Sequence, residues 1–150
     1  FKEFSAKKLT QEQKPSIRKL IVSLKEKAAA LGLADKGIFT GNQAGVSGYY
    51  KAMDFFVFPS VFEGLPGTVI EAQASGLRCL VSDSVTPEVL ITELAQAEPL
   101  SLGAGAWAAN VLERKEYVRN QMTQAIKAAG FDVSDQVKML EKIYLQENCQ

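Results

Sequence analysis

The sequence predicts an α/β fold, a parallel sheet with flanking helices. Three observations predict it. Short apolar runs, Lys36–Thr40 (KGIFT), Phe55–Phe58 (FFVF) and Leu77–Ser82 (LRCLVS), are separated by segments of helical character. The Phe55–Phe58 run contains no polar residue, the pattern of a parallel strand buried on both faces. The segment after it is framed by Pro66 near its start and Gly76 at its end, the Pro-first, Gly-last order of a helix.

The remaining elements follow along the chain. Residues 1–14 are polar and Lys-rich without periodicity and read as a loose entry. From Pro15 to Leu31 the apolar residues Ile17, Leu20, Ile21, Leu24, Ala28 and Leu31 recur at amphipathic-helix spacing, and Gly32 supplies the stop. Arg18, Lys19, Lys25 and Lys27 fall largely off that stripe, as on a solvated face. KGIFT is expected as a strand ending at Gly41, and Ser47–Met53 as a short helix. Thr86-Pro87-Glu88 predicts a helix start, with a capping hydroxyl, a proline at the first position and an acid in the first turn. Pro99–Leu102 is expected as a last strand, followed by helices near 104–128 and from Ser134 to about Tyr144. The domain organisation expected is a loose segment (1–14), an α/β domain (15–147) and a tail (148–150).

Composition narrows the function classes. Seventeen basic and seventeen acidic residues cancel, so no general field favours nucleic acid or an anionic membrane. No run of about 18 apolar residues is present to span a membrane. Cys79 lies in an apolar strand pattern and Cys149 in a polar tail, which argues against a bridge and for a reduced, cytoplasmic chain. The chain has no histidine, which removes Ser-His-Asp and Cys-His nucleophiles and most zinc and iron sites. A site here must use carboxylates, hydroxyls and backbone groups.

Asp54–Glu88 holds such a site. The strand Phe55–Phe58 ends in a turn with Glu63; Gly64-Leu65-Pro66-Gly67 follows, and Glu71 stands eight residues after Glu63. Ligands of open α/β sheets sit outside the carboxyl ends of strands, where this turn falls. A helix N-terminus offers unpaired N–H groups to a diphosphate. Gly64 and Gly67 permit close backbone approach, Pro66 sacrifices no needed donor, and Leu65 contributes its N–H. At ~1.5 Å per residue Glu71 is roughly 8 Å from the helix start, within reach of hydroxyls beyond the phosphates. The plain alternatives are a strand-to-helix turn, a helix-dipole acid at Glu63 and an exposed helix acid at Glu71.

This segment, PS-x-x-EG-x-P-x-x-x-x-EA-x-A-x-G, resembles the donor-binding motif of retaining glycosyltransferases of the two-Rossmann-domain (GT-B) type, family 4-like. The wording EGLP…EAQASGL…CLVSD…T-x-E is most similar to the exopolysaccharide and capsule branch. The resemblance runs from about Leu20 to Leu145 and covers only the later part of a second, donor-binding domain. It implies a Rossmann-like, incomplete domain that binds a nucleotide sugar, with a uridine diphosphate sugar as donor and a glycan or lipid-linked acceptor. Glu71 would meet ribose hydroxyls, and Glu63, the catalytic candidate, would meet the donor sugar and help a developing oxocarbenium ion. Gly41 and Asn42 would border the base, though a plain turn accounts for them equally. No metal and no cofactor beyond the donor is implied, and contact with a membrane is at most peripheral, at its inner face.

Other residues have simpler readings. Ser60 is a pocket candidate, and Phe62 reads as core. Thr86 and Glu88 match the branch's Thr-x-Glu, yet capping explains them. Trp107 reads as packing; Tyr49, Tyr50, Met53 and Phe55 as helix and strand core. The resemblance also leaves out an acceptor domain and the first two strands of the donor domain, with their glycine loop and basic pair. In the order 3-2-1-4-5-6 those strands lie between KGIFT and FFVF. The remaining strands are then expected to pair directly, to be completed by another chain, or to form a marginal sheet, and the isolated chain is expected to be inactive. The rival function is a noncatalytic nucleotide-binding or interaction module. An epimerase of similar fold needs histidines. A glycosidase needs carboxyls about 5 Å or 6.5–9.5 Å apart across a sugar, and the helix start between these two suits a phosphate better.

Overall fold

The computed structural model describes residues 13–147; the predicted loose segment up to residue 12, the tail 148–150 and Cys149 lie outside the described residues. The chain divides into two compact units, 1–43 and 44–150.

In the first unit α1 spans Gln13–Ala30, as the apolar spacing predicts. It ends where Gly32, at φ +69°, lets Leu31, Gly32 and Leu33 donate to the carbonyls of Lys27, Ala29 and Ala28. Its apolar stripe is exposed, with Leu20 59% and Leu31 65% accessible. The predicted strand Lys36–Thr40 is not formed. Ile38 is 89% exposed and Phe39 carries the Lys25 ammonium 5.5 Å above its ring. A strand needs a ladder partner for its backbone groups, and no described strand pairs with this segment.

The second unit is the α/β body. After α2 (Ser47–Ala52) come β1 (Phe56–Phe58), α3 (Gly67–Ala74), β2 (Cys79–Ser82) and β3 (Ala95–Glu98). Then follow α4 (Gly103–Arg114), α5 (Thr123–Ala128) and α6 (Val133–Glu147). The three strands form a parallel sheet in the order β1-β2-β3, with Phe56 opposite Cys79 and Cys79 opposite Ala95. β2 is buried along its whole length, whereas β1, expected to be covered on both faces, leaves Val57 44% exposed. Tyr50, Val69, Ala72, Leu77, Cys79, Val81, Val85 and Val89 make the core, with Phe56 and Phe58 partly buried against it. Burial pushes the Cys79 thiol up to about 12. Among the described residues no helix is long and apolar enough to cross a membrane.

Three further expectations are corrected. The last strand is Ala95–Glu98, not Pro99–Leu102, which forms a single 3₁₀ turn at Leu100–Leu102. Pro99 has no N–H to extend the ladder, while AQAE becomes a strand through its pairing with β2. The start at Thr86 yields only a 3₁₀ turn, Pro87–Val89, without a side-chain cap. Gln73, fully buried, takes the Val89 carbonyl at 2.7 Å and accepts from the N–H and hydroxyl of Thr92, both at 3.0 Å, which turns the chain away. The helical stretch near 104–128 is broken at 115–122. There Tyr117 donates to the Gly76 carbonyl and accepts from the Arg78 N–H, and Arg119 reaches the ends of two helices.

Candidate functional site

The motif folds at the carboxyl ends of β1 and β2. Chain leaving β1 at Phe58 loops through Pro59–Pro66 and enters α3 at Gly67. Glu63 forms a parallel bridge with Val85, just past β2, so the two loops run side by side beyond the sheet. The Ser60 hydroxyl lies 3.2 Å from Glu63 Oε1 and 3.4 Å from the Phe62 carbonyl, so it donates toward the acid. Glu63 and Gly64 are exposed, Leu65 is 43% exposed, and Pro66 is buried at the cap position. Phe62, read as core, is instead 84% exposed. It stands past the end of the short edge strand β1, which stops at Phe58, and there no second layer buries it.

Pro66 holds an extended conformation (φ −74°, ψ 106°) and gives α3 no side-chain cap. Val69 donates its N–H to the Pro66 carbonyl at 3.1 Å, and the N–H groups of Gly67 and Thr68 ahead of it have no acceptor within the helix. Gly67 and Gly64 carry no positive φ, and a Cβ on either would meet nothing within 4 Å. Neither glycine is demanded by its own backbone or by a neighbour in the chain.

Glu71 projects from the middle of α3 and is exposed. Its Oε2 accepts a 3.1 Å hydrogen bond from the hydroxyl of Tyr50, itself only 4% exposed. Burial first, and the Glu71 carboxylate second, push the Tyr50 phenol up to about 12, so it is a donor at neutral pH. Val46, Ser47, Tyr50, Glu71, Ala74 and Ser75 line a hollow of about 380 Å³. A larger hollow of about 600 Å³, between Val57, Pro59, Trp107 and Leu112, includes neither carboxylate in its lining.

The structure brings Glu63, the Gly64–Gly67 loop and Glu71 onto one turn and one helix start. Gly41 and Asn42 belong to the first compact unit, and their expected place at the end of a KGIFT strand falls with that strand. Thr86 is half-buried and Glu88 exposed in the 3₁₀ turn. Trp107 packs as expected, its indole N–H donating to the Pro99 carbonyl at 3.0 Å. Tyr49 is 37% exposed rather than core. Among the described residues no group of three or more His, Cys, Asp or Glu side chains is arranged for a metal.

Two contributors escape sequence reasoning. Tyr50 reads as core, and its hydroxyl's partner lies 21 residues away. Arg119 binds the carbonyls of Tyr50 (2.6 Å), Met53 (2.9 Å), Lys51 (3.2 Å) and Ser75 (3.0 Å), joining the C-terminal ends of α2 and α3. Nothing in the sequence around Arg119 signals that span.

The family described as glycosyl transferases group 1 matches residues 5–113. EpsF of Bacillus subtilis (strain 168), named as a glycosyltransferase, is 33% identical over 129 residues, 81% of this chain and 33% of its own length. The lipopolysaccharide core biosynthesis mannosyltransferase LpsB of Rhizobium meliloti (strain 1021) is 35% identical over 81 residues, 54% of this chain and 23% of its own. An Escherichia coli UDP-Gal:alpha-D-GlcNAc-diphosphoundecaprenol alpha-1,3-galactosyltransferase is 38% identical over 53 residues, 35% of this chain and 14% of its own. The matches thus span a third or less of each relative. No solved structure matches the chain significantly. With the family matched over most of its length, and its acid pair set on a strand–loop–helix turn, this chain belongs to the group 1 glycosyl transferases.

Proposed function

We propose that this chain binds the nucleotide-sugar donor of a glycosyl transfer that builds polysaccharide. The observation that carries the reading is the placing of two exposed carboxylates, Glu63 and Glu71, on either side of an uncapped helix start. The diphosphate lies against the N–H groups of Gly64, Leu65, Gly67 and Thr68, where the helix dipole favours negative charge. Gly64 and Gly67 suit this role, because the open space where their Cβ atoms would stand lets phosphate oxygens approach the backbone. Glu71 accepts from ribose hydroxyls. Glu63 accepts from hydroxyls of the donor sugar and opposes the positive charge that develops at its anomeric carbon. The diphosphate departs from the face at which the acceptor enters, so configuration is retained.

A uridine diphosphate sugar as donor and a lipid-linked acceptor are supported by the name of the Escherichia coli relative, which specifies both. Polysaccharide synthesis is supported by the name of LpsB, which specifies lipopolysaccharide core biosynthesis. The test is an amide NMR spectrum of the chain with and without a uridine diphosphate sugar. Shifts centred on Glu63–Glu71, lost in Glu71→Ala, are expected; a spectrum unmoved by millimolar nucleotide would refute donor binding.

A second reading, a nucleotide-binding module without transfer activity, is favoured by one observation. The three arginines of the second unit are committed at the amino ends of the strands, away from the loop. Arg119 holds the ends of α2 and α3, Arg78 stacks on Tyr117 at 4.6 Å and donates to the Arg114 carbonyl, and Arg114 lies 6.0 Å from the Phe55 ring. Nucleotide binding without sugar transfer, in the presence of acceptor, distinguishes this reading.

A further inference from the structure

Tyr50 and Glu71 lie on different helices, and the hydrogen bond between them is the side-chain link from α2 to the acid of α3. Tyr50 is fixed from three directions. Its ring is buried in the core and meets Phe56 edge-on at 5.9 Å. Its carbonyl accepts a 2.6 Å bond from Arg119, whose guanidinium also holds Ser75 at the end of α3. Its N–H donates to the Val46 carbonyl within the first turn of α2. A hydroxyl on so constrained a ring has one place to stand, and Glu71 Oε2 is there.

We propose that Tyr50 is the positioning residue of the donor site. It clamps one oxygen of the Glu71 carboxylate, so that the other faces outward, ready to accept from the paired hydroxyls of a ribose. The inference rests on the reading of Glu71 as the ribose acceptor. An exposed glutamate on a helix samples several rotamers, and binding must otherwise arrest them. A carboxylate has about four acceptor directions, so the tyrosine takes one and leaves enough for a diol. The bond is charge-assisted and partly buried, which favours its persistence when ligand arrives.

The test measures the affinity of the full chain for UDP and for 2′,3′-dideoxy-UDP, which lacks both ribose hydroxyls. Tyr50→Phe keeps the ring and removes only the hydroxyl. It is expected to weaken UDP binding about three- to tenfold, the cost of one unrestrained side chain, and to leave the dideoxy nucleotide unaffected. Equal weakening of both nucleotides would mean a general loosening of α2 and would overturn the proposal, as would no weakening of either. Glu71→Ala tests the underlying reading by itself. It is expected to abolish the preference for UDP over the dideoxy form; a preserved preference would remove Glu71 from the ribose. Loss of that preference in Glu71→Ala with no effect of Tyr50→Phe would remove the positioning role alone. Absence of UDP binding by the unsubstituted chain would overturn both. A second readout does not depend on the tyrosine variant folding. The Tyr50 hydroxyl proton is expected as a slowly exchanging NMR signal that survives UDP addition and is lost in Glu71→Ala, and its disappearance on UDP addition would overturn the clamp.

Discussion

At its C-terminal end α3 runs into Gly76, buried, at φ +78°, where a Cβ would stand 2.3 Å from the Asn120 carbonyl oxygen. The carbonyls there are taken up in turn: Gly76 by Tyr117, Ser75 by Arg119, and Glu71, Ala72 and Gln73 by the N–H groups of Ser75, Leu77 and Gly76. At its N-terminal end Gly67 is exposed, carries no positive φ, and has open space where a Cβ would be. One glycine is required by the fold; the other is not. The difference separates what α3 needs to stand from what it holds out to a ligand, since a residue the fold does not require is free to answer to something outside it.

The comparison can be broken at either end. Gly76→Ala has the largest expected effect. A left-handed conformation costs about 1–2 kcal/mol for a residue with a Cβ, and the collision with a backbone carbonyl adds about as much again. A loss of about 3 kcal/mol in urea unfolding is expected, with unchanged stability as the contrary result. Next is Arg119→Ala, which frees four carbonyls at the ends of α2 and α3. Partly exposed charged hydrogen bonds of this kind support a loss of about 2 kcal/mol. Hydrogen exchange is expected to quicken at α2 and the end of α3 before it does in β2. Gly67→Ala is smallest in stability and most diagnostic of function. It is expected to leave stability unchanged or raise it by about 0.5 kcal/mol, since glycine is a poor helix residue, while weakening UDP binding about tenfold. A variant equally stable that binds UDP as well would show that the open space is not used.

Much of the second unit is legible in the sequence alone. Pro66 and Gly76 framed α3 within a residue or two, and the apolar runs FFVF and LRCLVS became β1 and β2. The acid pair flanks the helix start as its spacing implied. KGIFT and AQAE show where local reading stops. KGIFT has strand composition but no partner among the described residues, while AQAE has little strand character and becomes β3 because β2 offers it a complete ladder. The helix expected near 104–128 is broken at 115–122, where Tyr117 and Arg119 find their partners in the chain between α4 and α5.

Sequence by itself determined the order of strand, loop and helix around Glu63 and Glu71, because a proline at the helix start, a glycine stop and apolar runs act within a turn or two of the chain. Tertiary structure alone decided which strand closes the sheet, where the later helices stop, and that the Glu71 carboxylate meets a tyrosine. Those outcomes rest on contacts between residues distant in sequence: the pairing of β2 with β3, the bond between Tyr50 and Glu71 (21 residues apart) and that between Tyr50 and Arg119 (69 residues apart). Such contacts form only once the packed chain brings their partners within hydrogen-bond reach, and no local pattern of residues encodes that approach.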